Sequence, residues 1–251
     1  MIYLKSPTEI DKMRRSNGLV AQVIQSVREQ VTPGVSTIEL DRLAEARIRE
    51  AGAKPAFKGY QGYPATICAS VNERVVHGIP DATQLNEGDV FSLDVGVLLD
   101  GFFGDMAVTL PVGRISEEAQ RLLKTTEEAL AVAIEQMVDG KRLGDVSYAI
   151  QSYSEQRGYN VVTKFVGHGI GRALHEAPQV PNFGRAGTGQ RLYTGLVLAI
   201  EPMLNCGTGD VKVLDDQWTV VTADGRLSAH FEHTVAITAD GPEILTALDE
   251  S

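Results

Sequence analysis

The sequence predicts an α+β fold made from a duplicated unit, with antiparallel strands and helices packed on one face. Three observations predict it. The order helix, helix, several strands occurs twice, with a spacing near ~110 residues by hydrophobic pattern. Asp100-Gly101, between two apolar runs, is a hairpin turn signal. The junction from Pro111 to Ser116 is short and no low-complexity linker separates the halves, so residues 1–251 are expected to form one compact domain. The spacing is far longer than the roughly 20–50 residues of a solenoid repeat.

The first unit, about residues 6–111, opens on Ser6-Pro7-Thr8-Glu9. Ser6 can cap, Pro7 suits the first turn, and Glu9 completes a capping box. Ile10, Met13, Val20, Ile24 and Val27 then follow a helical period until Pro33-Gly34 breaks it. Ser36-Thr37-Ile38-Glu39 opens a second helix by the same device, and Gly52 closes it. Strand-like runs are expected from Thr66 to Val71, Val90 to Leu99 and Phe102 to Leu110. The second unit, about residues 116–238, repeats the order. Helices are expected from Ser116 to Val138 and from Asp145 to Arg157. Strands are expected at Val161–Val166, Leu196–Leu204, Trp218–Thr222 and Phe231–Ile237.

Composition narrows the class. The chain has 251 residues, 43% hydrophobic and 22% charged, as in ordinary globular proteins. A formal net charge of −10 argues against a sequence-specific nucleic-acid binder, and is compatible either with cation binding or with an acidic solvated surface. Cys68 and Cys206 are too far apart in sequence to suggest a thiolate metal site or a disulfide framework. Met1-Ile2-Tyr3-Leu4-Lys5 lacks the apolar core of a signal peptide, and no run approaches the ~18 apolar residues of a membrane span. The expected location is the cytoplasm, with no membrane partner.

Acidic residues fall where strands should be apolar. If Asp100-Gly101 forms a two-residue loop, Leu99 faces Phe102 and Asp94 faces Ala107. Asp105 then lies two residues along on the same sheet face, about 7–8 Å from Asp94. Two carboxylates so placed repel, and either one protonates or a cation sits between them. A solvated edge hairpin explains this pair alone as well as a cation does. Glu201 and Glu232 repeat the feature in the second unit, where each alone could be a strand-end salt bridge. Four acids in apolar strands, two per unit, are harder to dismiss. Phe165-Val166-Gly167-His168-Gly169-Ile170-Gly171 offers a neutral nitrogen between glycines, although a lone histidine is more often structural. The spacing is not that of a dinucleotide-binding loop. One imidazole and four carboxylates, without thiolate, suit divalent Mn, Fe, Co or Zn. Four negative charges suit two such ions roughly 3.5–4 Å apart.

Taken in order, several segments resemble the type I methionine aminopeptidases, metalloproteases of the pita-bread fold. They are Asn72-Glu73-Arg74-Val75-Val76-His77-Gly78-Ile79-Pro80, Leu93-Asp94-Val95, Gly101-Phe102-Phe103-Gly104-Asp105, Gly167-His168-Gly169-Ile170-Gly171, Ile200-Glu201-Pro202-Met203 and Phe231-Glu232-His233-Thr234. The resemblance spans nearly the whole chain. It implies two pseudo-two-fold related units around a curved antiparallel sheet, and two divalent ions. Asp94 would hold one ion alone, His168 with Glu201 the other, and Asp105 and Glu232 would bridge. It implies hydrolysis by a metal-activated water or hydroxide, with His77 and His175 over the scissile peptide and Glu201 as a proton shuttle. Tyr63, Cys68 and Trp218 would line the methionine pocket. The implied reaction is removal of the N-terminal methionine from nascent proteins and peptides, with a small second residue preferred. The implied partners are nascent chains and, transiently, the ribosome, for a monomeric enzyme.

Two positions depart from the pattern. Leu174 precedes His175 where many relatives carry an aromatic residue, which implies a looser pocket wall. His230 stands where relatives often carry glutamine, and is expected at the surface. No basic or cysteine-rich extension and no large insertion between His175 and Glu232 favour type I over type II. Two other readings compete. An Xaa-Pro aminopeptidase on the same fold usually carries an extra N-terminal domain, for which there is no room. A catalytically inactive peptide-binding relative would be marked by loss of metal ligands, and all five have counterparts here.

Overall fold

A computed structural model describes residues 2–247. In the first half, α1 (Pro7–Arg28) and α2 (Thr37–Glu50) precede β1 (Lys54–Pro55), β2 (Ile67–Val71), β3 (Arg74–Val76), β4 (Val90–Leu99) and β5 (Phe102–Pro111). In the second, α3 (Glu117–Ile134) and α4 (Leu143–Glu155) precede β6 (Asn160–Val161), β7 (Gly167–Gly169), β8 (Glu176–Val180), β9 (Val197–Ile200) and β10 (Met203–Asn205). Then come β11 (Val211–Val213), β12 (Val220–Thr222), β13 (Ser228–His230), β14 (Glu232–Thr238) and β15 (Gly241–Ile244).

Local chemistry sets the helix starts. The Glu9 carboxylate accepts from the Ser6 backbone N–H at 2.9 Å, closing the expected capping box. Glu39 does the same for Ser36 at 2.9 Å. Ser116 caps α3 through the Ala119 N–H. α4 begins at Leu143, two residues before the expected Asp145, because Asp145 is the capping-box acid: it accepts from the Arg142 N–H at 2.9 Å. α3 ends at Ile134, short of the expected Val138. Met137 stays fully buried beyond the helix end, in a turn where its N–H bonds the Ile134 carbonyl.

Strand pairing builds a nine-stranded sheet with the path β1-β4-β5-β14-β9-β7-β8, to which β2 adds on β4 and β15 on β14. Every pairing in it is antiparallel, as expected. The two halves join where β5 meets β14. Two three-stranded sheets, β13-β10-β6 and β11-β12-β3, complete the fold. The β4–β5 hairpin has the expected register, Leu99 opposite Phe102 and Asp94 opposite Ala107. Asp100 at φ 51° and Gly101 at φ 80° are both left-handed, the primed turn that matches strand twist.

Period-2 alternation decides what each sheet face meets. Phe91, Leu93, Val95 and Val97 of β4 pack with Val20, Val23, Ile24 and Val27 of α1. Leu198 and Ile200 of β9 and Val235 and Ile237 of β14 pack with Leu122, Leu130 and Ile134 of α3. The helices therefore cover one face. The alternate residues, Asp94, Ala107, Ala199 and Glu232 among them, point to the other.

Two expected strands are divided. The run Leu196–Leu204 breaks at Pro202, which has no N–H for the ladder, so β9 and β10 enter different sheets. Of the run Val161–Val166 only Val161 pairs as a strand, beside Asn160. Val162 still donates to the Met203 carbonyl, but the chain then turns toward β7.

Candidate metal centre and cavity

Three adjacent strands present acids in one row. Ala107 of β5 lies between Asp94 of β4 and Glu232 of β14, and Asp105 is two residues along on the same face. A second row matches it. Ala199 of β9 lies between His168 of β7 and Thr234 of β14, and Glu201 is two residues along. In each row an alanine leaves room above the sheet for longer polar side chains to converge. Gly167 and Gly169 let β7 approach closely, since a Cβ on either would fall 2.4 Å from a carbonyl oxygen, of Ala199 and Ala177 respectively.

The result is a compact donor cluster. His168 Nε2 lies 3.8 Å from Asp105 Oδ2 and 3.7 Å from Glu201 Oε1. His168 Nδ1 is 2.9 Å from the Gly169 carbonyl, which can only accept, so Nδ1 carries the proton and the Nε2 lone pair faces the acids. Asp94 Oδ1, Asp105 Oδ1 and Glu232 Oε1 are buried without hydrogen-bond partners. Such orphaned oxygens are costly unless a proton or a cation meets them.

Electrostatics say the same. Burial pushes the Asp94 carboxyl up to about 7. Burial and the charges of Glu232 and Asp94 push Asp105 well above the carboxylate range. Glu201 is raised by burial and by Asp105 and Asp94, and Glu232 by burial and by Glu201 and Asp94. Burial pulls His168 down to about 4, leaving it neutral as a ligand must be. The Cys68 thiol is pushed up by burial and by Asp94. An oxygen-rich cluster with one neutral imidazole fits divalent cations of the Mn, Fe, Co and Zn group. Asp105, His168 and Glu232 form one triad whose ligand atoms lie within 4.8 Å of one another, and Glu201, His230 and Glu232 form another.

All ten residues singled out from the sequence line a single cavity of about 230 Å³: Asp94, Asp105, His168, Glu201, Glu232, His77, His175, Tyr63, Cys68 and Trp218. Cys68 reaches the acids because it pairs with Asp94 across β2 and β4. The Tyr63 hydroxyl lies 2.9 Å from both the Ile67 and Gly78 carbonyls, and its ring meets Trp218 edge-on at 5.0 Å. His77 sits at φ 59°, a left-handed geometry that stores about 1–3 kcal/mol in a non-glycine residue. Its ring lies edge-on to Phe165 at 5.5 Å, and burial lowers its pKa to about 4. His175 Nδ1 pairs with the Tyr60 hydroxyl at 2.9 Å, its ring centroid lies 4.2 Å from that of His168, and burial lowers its pKa too. Leu174 is buried in the cavity wall, where the sequence placed it.

Phe57, Tyr60 and Gln61 also line the cavity and were not anticipated. The signal for them is the run Tyr60-Gln61-Gly62-Tyr63, aromatic and bounded by Gly59, but a loop has no periodicity to betray its inward face. The expectation for His230 is corrected. It is 2% exposed, not at the surface, because it ends β13, with β10 paired on one side and Thr109 of β5 hydrogen-bonded to its backbone on the other.

The profile of metallopeptidase family M24 matches residues 11–239. A methionine aminopeptidase of Clostridium perfringens is 54% identical, over 99% of this chain and 100% of its own. The crystal structure of a methionine aminopeptidase from Rickettsia prowazekii superposes with a TM-score of 0.97 at 42% identity, covering 98% of this chain and 100% of that one. An Xaa-Pro dipeptidase from Bacillus anthracis has a TM-score of 0.79 at 22% identity, with 63% of its chain covered, a likeness of fold alone.

Proposed function

The chain belongs to metallopeptidase family M24, among its methionine aminopeptidases, and from that premise we propose how its cavity works. It removes the N-terminal methionine from nascent proteins and peptides, preferring a small second residue. The observation that carries this reading is the convergence of four carboxylates and one neutral imidazole beside an aromatic, sulfur-lined slot in one cavity.

Asp94 would hold one divalent ion, His168 and Glu201 a second, and Asp105 and Glu232 both. Four carboxylate charges match two divalent ions, which accounts for acids that otherwise repel in a buried site. Such ions, when bound, polarise the scissile carbonyl and lower the pKa of water toward ~7. His77 and His175 are neutral at pH 7 because burial holds both below the usual histidine range. Each can donate a hydrogen bond to the carbonyl oxygen as charge develops on it. Tyr60, paired with His175 Nδ1, orients that ring. Glu201 takes a proton from the attacking water at a carboxylate oxygen and passes it to the departing amine.

Tyr63, Cys68 and Trp218 receive the methionine side chain. A thioether gains from aromatic edges and from polarizable neighbours, and this slot has both. The neutral free amine of the substrate would be a ligand to an ion held by the acids beside the slot, which would restrict cleavage to the first residue. We further propose that residues 1–251 act as one catalytic unit on nascent chains in the cytoplasm, as a monomer meeting the ribosome transiently. Among the described residues no helix is long and apolar enough to cross a membrane.

The test is release of free methionine from Met-Ala-Ser by chelator-stripped protein with added Mn, Co, Fe or Zn. Leu-Ala-Ser and Ala-Pro-Ser serve as controls. Metal-dependent release from the methionine peptide alone is expected. Turnover of Ala-Pro-Ser, or metal uptake without any turnover, would refute the proposal.

A further inference from the structure

His230 stands beside Glu201 and Glu232 and has no part in the function proposed for the cavity. Its backbone is held firmly. The N–H donates to Thr109 Oγ1 at 2.8 Å, and the Thr109 hydroxyl donates back to the His230 carbonyl at 2.8 Å. The Ser92 hydroxyl, 2.7 Å from the same Thr109 oxygen, completes the clamp. The backbone that carries the ring is therefore fixed by the sheet. Its Nε2 is buried with no hydrogen-bond partner. Leaving such an atom unsatisfied costs about 1–3 kcal/mol.

The environment of that nitrogen copies the environment of a ligand already assigned. His230 Nε2 lies 3.9 Å from Glu201 Oε2 and 3.8 Å from Glu232 Oε2. His168 Nε2 lies 3.7 Å from Glu201 Oε1 and 3.8 Å from Asp105 Oδ2. Neither set is close enough for hydrogen bonds. Both suit donors that share a cation, since two atoms bound at about 2.1 Å are at most about 4.2 Å apart. Glu201 thus turns one oxygen to each histidine, and the pattern of imidazole between two carboxylates occurs twice around it.

We propose that His230 Nε2 is itself a metal donor, giving the centre a second imidazole beside His168. The inference rests on the metal-centre reading of the cavity. It makes the donor set four carboxylates and two imidazoles, which shifts preference toward Co, Fe and Zn relative to Mn.

The experiment counts imidazole nitrogens. Full-length, chelator-stripped protein is loaded with Mn(II), and nitrogen couplings are measured by electron spin-echo modulation. Wild type, His230→Gln and His168→Gln are compared, and calorimetry gives uptake of Mn(II) and Zn(II) for each. Two coordinated imidazole nitrogens are expected in wild type and one in each variant. For His230→Gln, Zn(II) affinity is expected to fall by more than the about 10–100-fold that loss of an outer-shell partner costs, because a direct donor is removed. Wild type that binds metal with a single imidazole nitrogen overturns the proposal, whatever the variants do, and leaves the metal centre standing. Wild type that takes up no metal overturns both.

Discussion

Replacing Asp94 with asparagine separates what the carboxylate costs the fold from what it does for function. Burial raises the Asp94 carboxyl from 3.8 to about 7. A raised folded pKa means that the group's contribution is fully present below the unfolded value and is lost as pH rises through the folded one. Between pH 4 and pH 8 the metal-free wild type therefore loses stability. Three units at 1.36 kcal/mol each set the Asp94 share of this loss, beside those of Asp105, Glu201 and Glu232, at about 4 kcal/mol. Asparagine keeps the shape and carries no charge, so metal-free Asp94→Asn escapes that share. At roughly 2–4 °C per kcal/mol for a chain of this size, its Tm at pH 8 should exceed that of metal-free wild type by about 10 °C. Near pH 4 the two should coincide. Metal narrows the gap: ions at about 100 times their dissociation constant add about 2.7 kcal/mol to a protein that binds them only when folded. With the two ions proposed, wild type would gain this from both, whereas the variant lacks the carboxylate assigned to one and should be nearly inactive. The assay is urea unfolding at pH 4 and pH 8, with chelator and with Mn(II). A metal-free Asp94→Asn protein no more stable than wild type at pH 8 would refute the charge argument.

Other variants address other parts of the site. His77→Ala should lower kcat about 10²–10³-fold with little change in KM, as for loss of a donor to a developing oxyanion, and steady-state kinetics on Met-Ala-Ser reads both. Trp218→Ala should raise KM for methionine peptides by roughly 10–200-fold, the range for lost packing in a specificity pocket, with Leu-Ala-Ser measured alongside. Lys5 reaches the Glu176 carboxylate at 2.6 Å, and Glu176 also accepts from the Arg172 and Ala173 N–H groups, pinning the loop that carries His175. Lys5→Ala leaves that buried charge short of its partner, so unfolding should show a loss of about 3–5 kcal/mol and kcat should fall with it. Phe91, fully buried between sheet and helices, should cost about 3–5 kcal/mol as Phe91→Ala, while activity per folded molecule is kept.

Local rules made much of this molecule legible in advance. Ser6 with Glu9 and Ser36 with Glu39 open helices because capping involves atoms only three residues apart. Asp100-Gly101 sets the register of β4 and β5, and a period of two then places Asp94 and Asp105 on one face. Those outcomes depend on neighbours in sequence, and the sequence by itself determined them. Acids in apolar runs drew attention to Glu201 and Glu232, flanking glycines to His168, and the resemblance implied the roles proposed for them.

Tertiary structure decided what depends on partners distant in the chain. The junction of β5 with β14 brings Glu232 beside Asp94 and Asp105, and the register of β14 on β9 brings Glu201 to them. The apolar run around Pro202 reads as one strand, but its missing N–H divides it between two sheets. Tyr60 and Gln61 enter the cavity wall from a loop. His230 shows the limit most plainly. Alone in sequence it is a polar residue beside a strand. Its burial and the two carboxylates that face it come from β13 and its partner β10, from Thr109 on β5, from the end of β9 and from the start of β14. A side chain's exposure is a property of everything packed around it, and for His230 those neighbours lie as far as 121 residues away.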